Sequence, residues 1–354
     1  MKKLKRLREQ FEQYKLDGFL VTSEVNRRYL TGFHSSDGCL LVTRDSAYFF
    51  TDSRYIEAAR AKIKNAEVKL TGTDGYKQHI ESLCREENIG RLGFEDGLIS
   101  YSAYNTWKNA LNAELIPSQE LLSSLRRVKT ESEIGLLMSA QQITDEVFKD
   151  ILGILAPGMT EMEIGAELQY RMLKKGAEGM SFPPIVVSGP NSSLPHGVPG
   201  KRELRRGDFV TMDFGCVFEG YCSDMTRTVV IGQATDEMRL VYDTVLRAQK
   251  AGIAAFREGI TGAEVDMAAR EVINSAGYGE YFGHGFGHGV GLDVHESPNA
   301  SAANKDPLPK GAVISAEPGI YIPGRFGVRI EDVVVVTEDG CRDITKSPKE
   351  LIEL

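Results

Sequence analysis

The segment DFVTMDFGCVFEGYCSDMTRTVVI, Asp208 to Ile231, decides how the second half of this chain is read. It holds two apolar strand candidates, Asp208–Phe218 and Ser223–Ile231. Strand side chains alternate between faces, so Phe209, Thr211 and Asp213 share one face of the first strand, and Asp224, Thr226 and Thr228 share one face of the second. A hairpin turning near Phe218 and Glu219 sets Asp213 opposite Asp224, with Cβ atoms about 5 Å apart. Like charges so placed repel, and a cation between them removes the repulsion, which makes the pair a hard-metal site.

The same geometry recurs downstream. Glu317, in SAEPG (Ser315–Gly319), and Glu331, in VRIED (Val328–Asp332), flank the turn Pro323-Gly324-Arg325 symmetrically. Arg329 alternates onto the face of Glu331, where it can hold that carboxylate by a charge-assisted hydrogen bond. Any one such residue is more commonly a solvated strand-end carboxylate. Here the neighbours are Val, Ile, Met and Phe, and strands that apolar are usually buried.

Three of the six histidines, His284, His288 and His295, fall within GHGFGHGVGLDVHE, Gly283 to Glu296. Glycines there let backbone and imidazoles crowd around a small object. The tract fits neither G-x-G-x-x-G nor H-E-x-x-H, so it is neither a dinucleotide fingerprint nor a zincin motif. His196 sits in the turn-rich stretch VSGPNSSLPHG, Val187 to Gly197, whereas His34 and His79 have no carboxylate cluster and read as surface or structural residues. Four carboxylates and an imidazole carry the charge that two divalent cations neutralise. Such a pair holds a bridging hydroxide and polarises a carbonyl, which is the chemistry of metal-assisted hydrolysis. Oxygen-rich ligation favours Mn²⁺, with Co²⁺, Fe²⁺ or Zn²⁺ as alternative occupants.

Working outward, Thr130 with Glu133, Thr160 with Glu163, and Thr261 with Glu264 each form a capping-box signature ahead of a helical apolar pattern. Further strands are expected at Phe182–Ser188, Ala312–Glu317 and Val328–Thr337. Helices in one set and hairpin strands in another predict an α+β domain, with a coarse two-fold repeat inside it. From Gly18 to Leu122 short apolar runs alternate with helical patterns, which predicts a smaller α/β domain. The polar, basic stretch LLSSLRRVKTES, Leu121 to Ser132, suits a linker or a short crossing helix. The chain therefore divides into residues 1–122, a linker at 123–132, and residues 133–354.

Net charge is −8, from 50 acidic and 42 basic residues, which argues against nucleic acid or an anionic membrane as partner. No run approaches the roughly 18 apolar residues of a membrane span, and the N-terminal stretch reads as an amphipathic helix rather than a signal peptide. Five cysteines without a C-x-x-C pair indicate reduced thiols and a cytoplasmic location.

These motifs resemble the metallopeptidase family that includes methionine aminopeptidase, aminopeptidase P, prolidase and the metal-free creatinase, whose catalytic domain has the pita-bread fold. The resemblance covers nearly the whole chain. It implies Asp213, Asp224, His288, Glu317 and Glu331 as ligands of two metal ions, with a bridging water or hydroxide as nucleophile. It further implies a substrate-side or proton-shuttling role for His196, carbonyl-polarising and oxyanion-stabilising roles for His284 and His295, support of Glu331 by Arg329, and proton shuttling by Glu317. The first domain is similar to the creatinase-type N-terminal domain through FLVTS (Phe19–Ser23), NRRYLTGF (Asn26–Phe33) and FTDSRYIEAA (Phe50–Ala59). Methionine aminopeptidases usually lack it, so the resemblance points to the proline-specific branch, acting on short peptides with proline at the second position, and to a homodimer. Prolidases place an arginine after the His-Glu motif, on the dipeptide carboxylate. Here no Arg lies between His295 and Arg325, leaving Lys305 or Arg325 as substitutes and both dipeptidase and aminopeptidase P open, with a lean to longer peptides. A methionine aminopeptidase-like enzyme and a silent binding module are the alternatives.

Overall fold

The structure, a computed structural model, describes residues 2–72 and 75–354. The chain forms two compact units, Met1–Leu125 and Arg126–Leu354.

The first unit is built on a six-stranded sheet in the order 67–70, 47–51, 39–43, 18–21, 91–94, 114–117. Its central strands, Gly18–Val21 and Cys39–Thr43, are buried at every position, which explains their unbroken apolar runs. The amphipathic N-terminal segment is a helix, Lys2–Glu9, that buries Leu4 and Leu7. Ser23 caps the helix Glu24–Thr31, and Gly32, at φ 74°, ends it. Buried Glu95 fastens that cap by accepting hydrogen bonds from the backbone N–H groups of Thr22 and Ser23 and from Asn26 Nδ2.

In the second unit all three capping boxes form as predicted, ahead of the helices Glu131–Leu152, Glu161–Lys174 and Gly262–Ser275. A fourth long helix, Asp236–Ala255, is capped by Thr235. The stretch expected as linker or crossing helix is helical over Gln119–Arg127 and again from Glu131. The repeat is visible as two helices followed by strands, twice over. The first pair, Glu131–Leu152 and Glu161–Lys174, packs Val147, Ile151, Ile164 and Leu168 against Met212, Phe214 and Met225. The second, Asp236–Ala255 and Gly262–Ser275, packs Val241, Val245, Val265 and Ile273 against Ile314, Ile320 and Val334.

Strands Ile185–Ser188, Phe209–Phe214 and Met225–Val230 form one antiparallel sheet. The second half carries a five-stranded sheet over 287–343 and the hairpin Gly319–Ile322 with Phe326–Arg329. In that hairpin Gly319 pairs with Arg329, and in the adjoining sheet Ala316 pairs with Asp332. One register thus runs through both, and Glu317 faces Glu331 across the Pro323-Gly324-Arg325 turn as its symmetry predicts. The first hairpin differs from expectation. Asp213 pairs with Thr226, not Asp224, because the turn is the two-residue Glu219-Gly220, at φ 47° and 86°, one residue later than expected. Asp224 consequently lies diagonal to Asp213, on the same face.

The two halves are stitched together beneath the sheet surface. Arg227 and Asp332, both fully buried, pair at 2.7 Å, and Arg227 also donates to the carbonyls of Glu331, Ser347 and Pro348. Asp332 accepts from Gln249 Nε2 at 2.7 Å and pairs with Lys349.

Candidate active site

The carboxylate hairpins and the glycine-rich histidine tract meet at one cavity of about 610 Å³, wholly within the second unit. His196, Asp213, Asp224, His284, His288, His295, Glu317, Arg329 and Glu331 all line it. One wall is apolar, with Phe182, Pro183, Pro184, Ile185, Val198 and Val294.

Donor atoms of Asp224, His288 and Glu331 lie within 4.8 Å of one another. His288 Nε2 stands 3.5 Å from Asp224 Oδ2 and 3.1 Å from Glu317 Oε1. Its Nδ1 lies 3.2 Å from the Gly289 carbonyl, so Nε2 is the nitrogen that faces the carboxylates, where it shares a proton with Glu317 in the absence of metal and, once deprotonated, offers its lone pair to a metal ion. The close approach depends on glycine: a Cβ at Gly287 would stand 1.9 Å from the Ser315 carbonyl oxygen. Ser315 Oγ in turn accepts from the His288 N–H and donates to Glu317 Oε1.

Thr226 ties the hairpins at the site. Its hydroxyl donates to Glu331 Oε2 at 2.8 Å and accepts from Arg329 Nε. Arg329 Nη2 donates to Asp213 Oδ2 at 2.6 Å, so the guanidinium, expected on Glu331, instead holds Asp213 directly and reaches Glu331 only through Thr226. Its Nη1 also donates to the Tyr321 hydroxyl, which is 2.9 Å from His284 Nε2. His284 Nδ1 lies against the Gly285 carbonyl, so both ring nitrogens have partners within the protein. His196 and His295 are exposed at the cavity, and His295 stacks near His288 with ring centroids 4.1 Å apart.

The electrostatics are those of a site short of positive charge. Burial pushes the Asp224 and Glu331 carboxyls well above the usual range, and the neighbouring carboxylates push them further. Burial likewise raises the Asp213 carboxyl against the pull of Arg329. For Glu317 burial also pushes upward, but the His288 hydrogen bond and charge outweigh it and hold the carboxyl at about 2. Asp213 Oδ1 and Glu331 Oε1 are buried without a hydrogen-bond partner. Orphaned carboxylate oxygens beside an aimed imidazole are what a bound divalent cation satisfies, so the residues fit metal ions.

Residues 135–338 match Metallopeptidase family M24, and residues 3–128 match the Creatinase/Prolidase N-terminal domain. The chain belongs to metallopeptidase family M24. It is therefore a hydrolase of peptides that works with divalent metal ions, and its α+β catalytic unit has the pita-bread fold. Among solved structures, this metallopeptidase is similar to an Xaa-Pro dipeptidase from Bacillus anthracis, at TM-score 0.97 and 44% identity, covering 100% of this chain and 99% of that one. An X-Pro aminopeptidase from Thermotoga maritima gives TM-score 0.93 and 36% identity, covering 98% and 100% respectively. The Xaa-Pro dipeptidase of Pyrococcus furiosus is 36% identical over 99% of each chain.

Sequence reasoning missed Tyr321 and Ser315, and took Thr226 only as a face neighbour of Asp224. Tyr321 follows Glu317 by four residues, and Ser315 precedes it by two, so strand alternation was the available signal. Of the proposed substitutes for the missing clamp, neither Lys305 nor Arg325 lines the cavity, and Arg325 is paired with Glu237. No helix among the described residues is long and apolar enough to cross a membrane.

Proposed function

We propose that this chain is a dinuclear metallo-exopeptidase cleaving the bond between an N-terminal residue and a following proline. The convergence of Asp213, Asp224, His288, Glu317 and Glu331 on one cavity carries the proposal, since these five would hold the ions. Oxygen-rich ligation favours Mn²⁺. Two divalent ions, when bound, supply an activated water and polarise the scissile carbonyl.

The chain's own residues do the rest. The buried carboxylates attract the substrate's α-amino group and fix it at one end, which makes the enzyme an exopeptidase. The apolar wall of Phe182, Pro183, Pro184, Ile185 and Val294 accommodates the pyrrolidine ring. An Xaa-Pro bond is a tertiary amide with fixed φ and no N–H, so ring shape rather than a backbone hydrogen bond must select it. Arg329 and Thr226 orient Asp213 and Glu331. Glu317, hydrogen-bonded to Ser315 and His288, receives the proton released as water attacks. His196 and His295, exposed at the rim, act on the substrate side, where an imidazole can donate to the developing oxyanion or to the proline nitrogen. His284 keeps its place through Tyr321.

Among the described residues, the only guanidinium or ammonium lining the cavity is Arg329, which is already engaged with Asp213, Tyr321 and the Pro195 carbonyl. A dipeptide's carboxylate finds no free cation among the described residues there, which favours substrates that continue beyond proline. The similar solved structures include both a dipeptidase and an aminopeptidase. A homodimer in the cytoplasm, expected from the family resemblance and the reduced thiols, completes the proposal.

Hydrolysis of an Xaa-Pro dipeptide and the matched Xaa-Pro-Yaa tripeptide, with Mn²⁺ and after chelation, tests it. Metal-dependent cleavage of the tripeptide over the dipeptide is the expected result. Cleavage of the dipeptide alone would mean that a carboxylate clamp exists after all. Cleavage of neither, with turnover of a Met-Ala peptide, would move the enzyme to the methionine-specific branch.

A further inference from the structure

Glu161 stands at the first turn of the helix Glu161–Lys174 and is fully buried, although the Thr160–Glu163 capping box already satisfies that helix end. Its carboxylate serves a different element. Oε1 accepts from the Ser188 N–H at 2.7 Å, from Ser188 Oγ at 2.7 Å and from Asn191 Nδ2 at 3.1 Å. Oε2 accepts from the Gly200 N–H at 3.1 Å. Ser188 and Gly200 are the two ends of the loop whose middle residues, Pro195 to Pro199, line the active-site cavity. One carboxylate therefore pins both ends of the segment that carries His196.

The loop ends have other ties as well: Ser188 pairs with Val210 in the sheet and its hydroxyl accepts from Arg202 Nη1 at 2.7 Å, while the Gly200 carbonyl accepts from the Met162 N–H at 3.0 Å. The loop's tip bonds to itself through Leu194 N to Asn191 O and Gly197 N to Leu194 O. Between those ends, outside contacts include Ser192 Oγ, which accepts from the Gly327 N–H, and the Pro195 carbonyl, which accepts from Arg329 Nη1. Leu194 and Val198 are largely solvent-exposed, so burial adds little there. Burying a carboxylate is costly unless several donors meet it, and here the donors belong to the loop.

We propose that Glu161 is a positioning residue for His196: by clamping Ser188 and Gly200 together it sets the loop so that the imidazole stands at the substrate. This rests on the substrate-side role given to His196 above. In Glu161→Gln one oxygen becomes an NH₂ group that faces an N–H donor, so the carboxylate's tie between the two loop ends is lost while side-chain size is kept.

Metal-loaded enzyme, the single variants Glu161→Gln and His196→Ala, and the double variant are compared on the tripeptide. The Gln variant should lower kcat about 10-fold or more with metal content unchanged, the scale of a misplaced catalytic group. In the His196→Ala background the same change should cost less than about twofold, because the group it positions is gone. An equal factor in both backgrounds would make Glu161 merely structural and overturn the proposal. Amide hydrogen exchange supplies a readout that needs no substrate: amides of 191–198 should exchange about 10-fold faster or more in Glu161→Gln, with those of 164–172 unchanged. Unchanged loop exchange overturns the proposal whatever the substrate, whereas faster exchange in an enzyme that cleaves no Xaa-Pro peptide refutes the substrate assignment alone. If the Gln variant fails to fold, Glu161→Asp, which keeps the charge but not the reach to both ends, takes its place in every comparison.

Discussion

Removing metal should make the stability of the catalytic unit fall steeply as pH rises. Burial pushes the His288 imidazole down, but the Glu317 hydrogen bond and the charges of Glu317 and Asp224 overcome it and raise it to about 9. Its ordinary value is 6.5. Between those two values the folded chain keeps a proton that the unfolded chain has lost. The stabilisation is thus fully present below pH 6.5, declines through the window and is gone above pH 9. A rise from 6.5 to about 9 corresponds to on the order of 3 kcal/mol. Asp224 and Glu331, also raised, contribute with the same sign, whereas Glu317, held at about 2, contributes a constant amount across the window. The assay is denaturant unfolding at fixed ionic strength between pH 6 and about 9.5, with chelator and with Mn²⁺. Far-ultraviolet circular dichroism is the probe to use, because the single tryptophan, Trp107, lies in the first unit. The chelated midpoint should fall with pH, the loaded midpoint should not, and His288→Ala should flatten the chelated curve. A chelated protein as stable at pH 9 as at pH 6.5 would refute the reasoning, since it would mean that no proton is shared between His288 and its carboxylates.

Other perturbations have distinct readouts. Arg227→Met leaves Asp332 buried with fewer partners and should destabilise the catalytic unit by about 3 kcal/mol or more, seen as a lower denaturation midpoint; a change under about 0.5 kcal/mol would mean that Lys349 and Gln249 suffice. His295→Ala should retain metal but lose about 10² to 10³ in kcat, and full activity in the metal-replete variant would remove His295 from the chemistry. Lys305→Ala and Arg325→Ala should leave KM for Xaa-Pro peptides within about twofold of wild type, within the usual scatter of remote surface changes; a large rise for the dipeptide alone would expose a clamp outside the cavity.

Much of the site was legible because strand alternation and turn symmetry are local rules. Glu317 and Glu331 face each other because a three-residue turn centred on Gly324 preserves the register, and both residues could be counted outward from it. Counting failed at Asp213 and Asp224, where Glu219 takes a left-handed conformation uncommon for a residue with a side chain, and the turn moved by one position. The three Thr-x-x-Glu boxes were readable since both partners lie within one helical turn. Glu161, Arg227 and Asp332 were not, because a single charged residue carries no periodicity and its partners lie far along the chain. Arg329 shows the intermediate case: alternation put it on the right face, but its partner, Asp213, is 116 residues away and only the joining of the two halves brings them together.

The five proposed metal donors are divided between the halves of the repeat, Asp213 and Asp224 before the irregular segment Gln233–Thr235 and His288, Glu317 and Glu331 after it. Neither half alone offers more than part of a coordination set. Ions that bind only the joined pair favour the joined pair by mass action, so they act as an adhesive between two similar lobes as well as a reagent. A chain nicked at that segment would accordingly hold together more tightly in metal than in chelator, making the association of its two fragments a reporter of free metal concentration.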